Sequence, residues 1–313
     1  MGLERLSSRA IIGEFYNTLQ ADAGMEWIND TSMMMQSDQE SETYAWLGMV
    51  PGMREWVGGR QAKGFRDNGI TVANKHYEST IDILLRHLRR DKTGQAMVRI
   101  RELAVRTNSH WASLLSTLLL AAPSAVCYDS QYFFDTDHSE GDSGTQNNDI
   151  TVDISALPAV VHGVVTAPSV EEMQQSIISG ITAILGFKDD TGEPMNESAQ
   201  KFRVIVPASL FIVASKAVSM PMGVGVSEQN VPANMSISVS MNPRLTWTDS
   251  FAVFRADGNT KAFIRQEETA VQLKAKAEGS EYEFDNDAWQ FGVDTWRNVA
   301  YGFWQHACYV TMT

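Results

Sequence analysis

An α+β fold is predicted by three features of this 313-residue sequence. Apolar residues recur at helical spacing through its middle, apolar and aromatic residues alternate with period two after about residue 235, and no βαβ order repeats.

Residues 1–43 collect Glu14, Asp22, Glu26, Asp30, Asp38, Glu40 and Glu42 with little aliphatic content, and the run Met33, Met34, Met35 has neither a helix nor a strand period. Such a segment reads as an extended or partly helical arm that lies against another surface. Residues 44–86 read as a long hairpin-like loop. Strand-like legs at Ile70-Thr71-Val72 and Ile81-Asp82-Ile83 accompany the turn signal Asp67-Asn68-Gly69. From 92 to 122, Met97, Ile100, Leu103, Ala104, Trp111, Leu114, Leu115, Leu118 and Ala122 form one helical face that stops at Pro123. About 28 residues at 1.5 Å each make a rod of roughly 42 Å, the length of a domain's spine.

Residues 126–150 are rich in Gly, Ser, Asn and Asp and read as a loop. Ser169 and Glu172 form a capping box ahead of the stripe Met173, Ile177, Ile181, Ile184, and Gly186 sits where a C-terminal cap belongs. A strand at 202–206 and a short helix at 211–218 follow. Strands are then expected at 236–240, at 251–255 and 261–265 as a hairpin around Asp257-Gly258-Asn259, and at Val271-Leu273-Ala275. Trp289, Phe291 and Val293, then Tyr301 and Phe303, close the chain with period-two aromatics.

The net charge of −13 argues against general nucleic-acid binding through a basic surface, but the charge is uneven. Residues 51–110 carry +6, leaving −19 for the rest. Two readings fit this basic island: an interface for acidic partners, or a phosphate patch through Arg86, Arg89, Arg90, Lys92, Arg99, Arg101 and Arg106. The interface is the simpler, because copies of the same chain supply the acid. Cys127 and Cys308 lack CxxC spacing and read as reduced structural thiols. No signal-peptide core or run of ~20 apolar residues occurs, which points to a soluble intracellular product without a membrane role.

The stretch 44–77 combines Trp46, Trp56 and Phe65 with Gly48, Gly52, Gly58, Gly59 and Gly64 and with Arg54, Arg60, Lys63, Arg66 and Lys75. Aromatics bury large areas, glycines let backbones approach, and arginines suit carboxylates. Together they describe a projecting arm built to pack on neighbours, with Trp46, Arg54, Trp56, Arg60, Lys63 and Arg66 as its contact residues.

Catalytic signals are sparse. Asp135, Asp137 and His138, with Asp142 nearby, offer ligands for a divalent ion and define the alternative of a soluble α/β metal-dependent enzyme. Their spacing matches neither an EF-hand nor a HExxH helix, and aspartates in such a loop also cap backbone amides. There is no GxSxG. Gly223 and Gly225 lack the partners of a phosphate loop or dinucleotide fingerprint, and His76, His87, His110, His162 and His306 stand alone in sequence. The expectation is no enzyme, no cofactor and no metal.

The order of arm, glycine- and aromatic-containing loop, spine helix, mixed α/β part and closing strands resembles the Hong Kong 97 capsid fold of tailed-phage major capsid proteins. YAWLGMVPGMREWVGGR (44–60) and CYDSQYFFDTDHSEGDSG (127–144) are similar to segments of the Mu-like phage major head subunit family. The resemblance implies an N-terminal arm at 1–43 and an extended loop at 44–90 lying over a neighbouring subunit. It implies a peripheral domain at 91–165 with 263–313, holding the spine helix at about 93–122, and an axial domain at 166–262. It further implies a virion shell protein, assembled in the bacterial host cytoplasm into hexamers and pentamers of itself around double-stranded DNA, without sequence-specific binding. A portal and a decoration protein are further partners of such shells. No long helical leader precedes the arm, so scaffold and maturation protease are expected as separate products.

Overall fold

The computed structural model describes residues 7–21, 26–44, 69–90, 94–219 and 235–313. Two sheets dominate. The first runs in the order β1 (Ser32–Gln36), β9 (Phe263–Lys276), β10 (Ala288–Tyr301), β4 (Lys75–Leu84). The second runs in the order β5 (Asp149–Val152), β11 (Ala307–Met312), β8 (Ser250–Arg255), β6 (Lys201–Val206), β7 (Ser236–Met241). A separate antiparallel pair joins β2 (Ser41–Tyr44) to β3 (Ile70–Ala73). Parallel and antiparallel pairings mix within both large sheets, as an α+β chain without repeating βαβ units allows.

After the short helix α3 (Leu85–Arg90), the spine is α4 (Gln95–Ala121), 27 residues long. It begins after Gly94, whose φ of 73° suits a residue without Cβ, and ends just before Pro123. Its inner stripe, Ala96, Ile100, Leu103 and Ala104, packs on Trp289, Phe291 and Val293 of β10 and on Ile11 and Phe15 of α1 (Ser8–Ala21). Ile11 and Phe15 are fully buried, each worth roughly 1.5–3 kcal/mol of apolar burial. The N-terminal segment therefore rests on its own chain's spine, and Arg101 of α4 pairs with Glu14 of α1. A larger apolar cluster fills the second sheet and its helices α2 (Glu26–Thr31), α5 (Val170–Gly186) and α6 (Phe211–Ser219). Gly180 lets α5 lie directly on that sheet, since a Cβ there would stand 2.9 Å from Val253 and 3.0 Å from Val310. No helix among the described residues is long and apolar enough to cross a membrane.

Several local expectations are corrected. Met33, Met34 and Met35 form strand β1, because parallel pairing with β9 supplies the order that their side chains do not encode. The legs at 70–72 and 81–83 do not pair with each other: β3 joins β2, whereas Ile81 and Ile83 of β4 face Phe291 and Trp289 of β10. The segments flanking Asp257-Gly258-Asn259 are not a hairpin. β8 joins the second sheet and β9 the first, and the turn between them is tied by Arg255 to Asp257 and by buried Lys261 to the carbonyl of Asp257. Gly186 is the last helical residue of α5, with the cap at extended Phe187, while the Ser169–Glu172 capping box forms in full. α4 starts three residues later than its apolar period suggests.

Candidate assembly surface

The loop expected to reach a neighbour is held at its base by β2 and β3, and this pair is locked to the first sheet through one buried side chain. Gln266 lies on β9 with no exposed surface. Its Oε1 accepts from Tyr44 Oη at 2.7 Å, and its Nε2 donates to Val72 O at 3.1 Å and Asn74 Oδ1 at 2.8 Å. Asn74 Nδ2 in turn donates to Gln39 O at 2.8 Å and Ser37 Oγ at 3.1 Å, and Asn298 of β10 donates to Ala73 O at 2.7 Å. Burial, reinforced by Glu42, pushes the Tyr44 phenol up to about 12, so it donates at any physiological pH. Residues on both sides of 45–68 thus descend into one fixed polar knot. Gln266→Leu removes the acceptor of the Tyr44 hydroxyl and the donor to the Asn74 carbonyl, and is expected to lower stability by about 2–4 kcal/mol in urea unfolding, against less than about 1 kcal/mol for a shape-only role.

A second buried network clasps the turn 304–306, which carries the chain from β10 in the first sheet to β11 in the second. His138 stacks on Trp304 with ring centroids 3.9 Å apart and planes 8° from parallel. Its Nδ1 lies 2.6 Å from Asp129 Oδ2 and its Nε2 3.2 Å from Asn148 Oδ1. Asn148 is oriented by donating to Phe133 O and accepting from Asp135 N–H, both at 2.9 Å. Tyr128 bonds Gln305, and Asn196 bonds both Gln305 O and His306 Nδ1. Burial alone raises the Asp129 carboxyl, but hydrogen bonds from His138 and Cys127 outweigh it and hold the group below its ordinary range. Burial, helped by Asp129, drives the Cys127 thiol far upward, and burial does the same to Cys308, so both stay as thiols.

The residues proposed from sequence are placed unevenly. Trp46, Arg54, Trp56, Arg60, Lys63 and Arg66 lie outside the described residues, as do Lys92, Gly223 and Gly225. Asp135, Asp137 and His138 do not converge on an ion. Asp135 caps the backbone N–H groups of Tyr132 and Thr136, Asp137 is exposed, and His138 turns inward to Asp129. The metal-enzyme alternative is therefore set aside. The sequence reading missed Asp129 as the partner of His138. Cys127, Asp129 and His138 bring ligand atoms within 4.8 Å of one another, but Cys127 Sγ and His138 Nδ1 each already meet an Asp129 oxygen, which suits a hydrogen-bonded brace. Several histidines that stand alone in sequence acquire tertiary partners: His76 stacks on Trp296, His110 meets the edge of Tyr77, and His162 bonds Glu172. Arg99, Arg101 and Arg106 are exposed on the outer side of α4.

The sequence profile of the Mu-like prophage major head subunit gpT family matches residues 7–156 and 225–313. The Mu-like prophage FluMu major head subunit of Haemophilus influenzae is 34% identical over 112 residues, covering 36% of each chain. The major capsid protein of Escherichia phage Mu is 33% identical over 110 residues, covering 35% of this chain and 36% of that one. The aligned stretch thus spans about a third of each of these relatives. In fold, the chain is similar to the procapsid protein of bacteriophage JBD30, with a TM-score of 0.56 and 21% identity over 97% of this chain and 74% of that one. A virus-like particle from Pyrococcus furiosus gives a TM-score of 0.52 at 9% identity, over 95% and 96% of the two chains. The fold is that of phage capsid proteins.

Proposed function

Because this chain belongs to the Mu-like prophage major head subunit family, we propose that it is a major head protein whose copies close into an icosahedral shell around double-stranded DNA. The observation that carries this reading is the family match on both sides of residues 157–224, together with a capsid-type fold over nearly the whole chain. In this reading the peripheral part is 91–165 with 263–313 and the axial part is 166–262, and the two are joined through the second sheet, where β5 and β11 pair alongside β8, β6 and β7. In this division 1–43 is the arm and 44–90 the extended loop. Heterologous contacts between identical chains close into hexamers and pentamers, and these into a shell. Scaffold, maturation protease, portal and decoration protein are supplied as separate chains, in the host cytoplasm. The locked base of the loop supports its role: a lever that reaches a neighbour transmits position only when its root is fixed.

Electron microscopy of the protein produced with its phage's head proteins tests the reading. Regular hollow shells are expected, and a homogeneous monomer or small oligomer under every assembly condition sinks it. Trp56→Ala is expected to leave a folded subunit while lowering shell yield at least tenfold, roughly the loss of one aromatic anchor. Normal shell yield from that variant removes the loop from the assembly contacts.

A further inference from the structure

One end of the first sheet carries two exposed surfaces of complementary chemistry. The connection between β9 and β10 folds into α7 (Glu281–Asn286), where Phe284 is 90% exposed. Glu281 and Asp285 beside it are exposed acids. This tip is firmly built. Ser280 Oγ accepts from Glu283 N–H at 3.2 Å, Glu283 accepts from Gly279 N–H at 2.7 Å, and Leu85 N–H donates to Asp287 O at 2.8 Å. A large ring held in water on a capped turn is an exposed anchor whose ordering is complete before any partner arrives.

The second surface is the outward face of the first half of α4. Val98 and Val105 are 48% and 44% exposed, seven residues and about 10 Å apart along the axis. Arg99 and Arg106 follow them at the same spacing, with Glu102 between, while Arg101 is engaged by Glu14. Tip and face belong to the same end of the molecule, because Ala96 and Ile100 share an apolar cluster with Ala277 and Trp289. An apolar centre with a charged rim is how protein interfaces are built, and here one surface has an acidic rim and the other a net basic one, Arg99 and Arg106 outnumbering Glu102. Phe284 leaves both valines uncovered in its own chain.

We propose that Phe284 of one copy of this chain docks between Val98 and Val105 on α4 of a second copy, with Glu281 and Asp285 facing Arg99 and Arg106. This rests on the shell reading above, which supplies a partner of identical sequence at high local concentration. Donor and acceptor are different patches of one chain, so the contact is heterologous, and repetition around an axis near that shared end closes a ring.

Shell yield, counted by electron microscopy and sedimentation from cells expressing the chain with its phage's head proteins, tests the contact. Phe284→Asp and, on the acceptor side, Val105→Asp are each expected to lower yield at least about tenfold without shifting the melting temperature of the subunit. Arg99→Glu with Arg106→Glu gives a similar loss, and adding Glu281→Arg with Asp285→Arg to the same chain restores yield to within about threefold. Wild-type yield from both Phe284→Asp and Val105→Asp overturns the contact while the shell reading stands. A wild-type chain that forms no shell overturns the shell reading, and the contact with it.

Discussion

Asp129→Ala is expected to destabilise the fold by about 3 kcal/mol or more, because it strands three donors in a buried site. Asp129 accepts from Cys127 Sγ–H at 2.9 Å and from Gln131 N–H at 3.1 Å, and it faces His138 Nδ1 at 2.6 Å. The Asp129 and His138 side chains are 3% and 0% exposed, so water does not replace the lost acceptor. Loss of orientation at His138 also loosens Trp304, whose ring it stacks on and whose turn connects the two sheets. The effect is therefore larger than the local bonds, because the clasp braces the turn that joins the two sheets: stability is expected to fall and, on the proposed shell reading, shell yield with it. Urea unfolding followed by tryptophan fluorescence measures the first, and a loss below about 1 kcal/mol rejects the clasp as a structural brace. Asp129→Asn keeps the oxygen for Gln131 but removes the charge facing His138, and is expected to fall between wild type and alanine.

The parts of the fold legible in sequence are those whose signal is local. The spine helix has an apolar stripe and a terminal proline, and α5 carries its own capping box, so each is specified by residues three or four apart. Strand pairing is not local. The Asp257-Gly258-Asn259 turn looked like a hairpin because turn chemistry says that the chain reverses, not which sheet receives each side. Met33–Met35 carried no alternation because β1 is an edge strand whose pairing with β9 is set about 230 positions away. The buried networks were only half visible. His138 stood out as an ionisable group in an aspartate-rich loop, but its partner proved to be Asp129, nine residues back, rather than the adjacent acids. Gln266 gave no signal at all, since a glutamine between charged neighbours on a strand reads as solvent-facing until β2, β3 and Asn74 close over it.

Acidification from pH 7.5 to 5 is expected to remove about 2 kcal/mol of subunit stability through His306 alone. Burial, with Arg255 and Lys261 nearby, lowers this imidazole to about 3 from its ordinary value near 6.5. The hydrogen bonds agree with a neutral ring. Asn196 donates through Nδ2 to Ile184 O and Gln305 O, so its Oδ1 accepts from His306 Nδ1–H, and Thr260 Oγ1 at 2.9 Å can donate to Nε2. Below about 6.5 the unfolded chain takes up a proton that the folded chain refuses, so stability falls with pH until about 3 and is flat beneath it. His110, lowered to about 4 by burial and by Arg297 and Arg244, acts in the same direction. Asp129, held below the ordinary carboxylate range, contributes stability that is lost only at lower pH, as pH falls through its folded value. The loss above pH 5 therefore belongs to histidines. His306→Gln is expected to be less stable at pH 7.5 yet flatter between 7.5 and 5, by about one proton in the slope of unfolding free energy against pH. An unchanged slope would assign the acid sensitivity elsewhere. The same proton refusal acts at the junction of the two sheets, so acid should loosen the clasp around residues 304–306 before it melts the apolar cluster between α1 and α4, an order that hydrogen exchange at reduced pH reads directly.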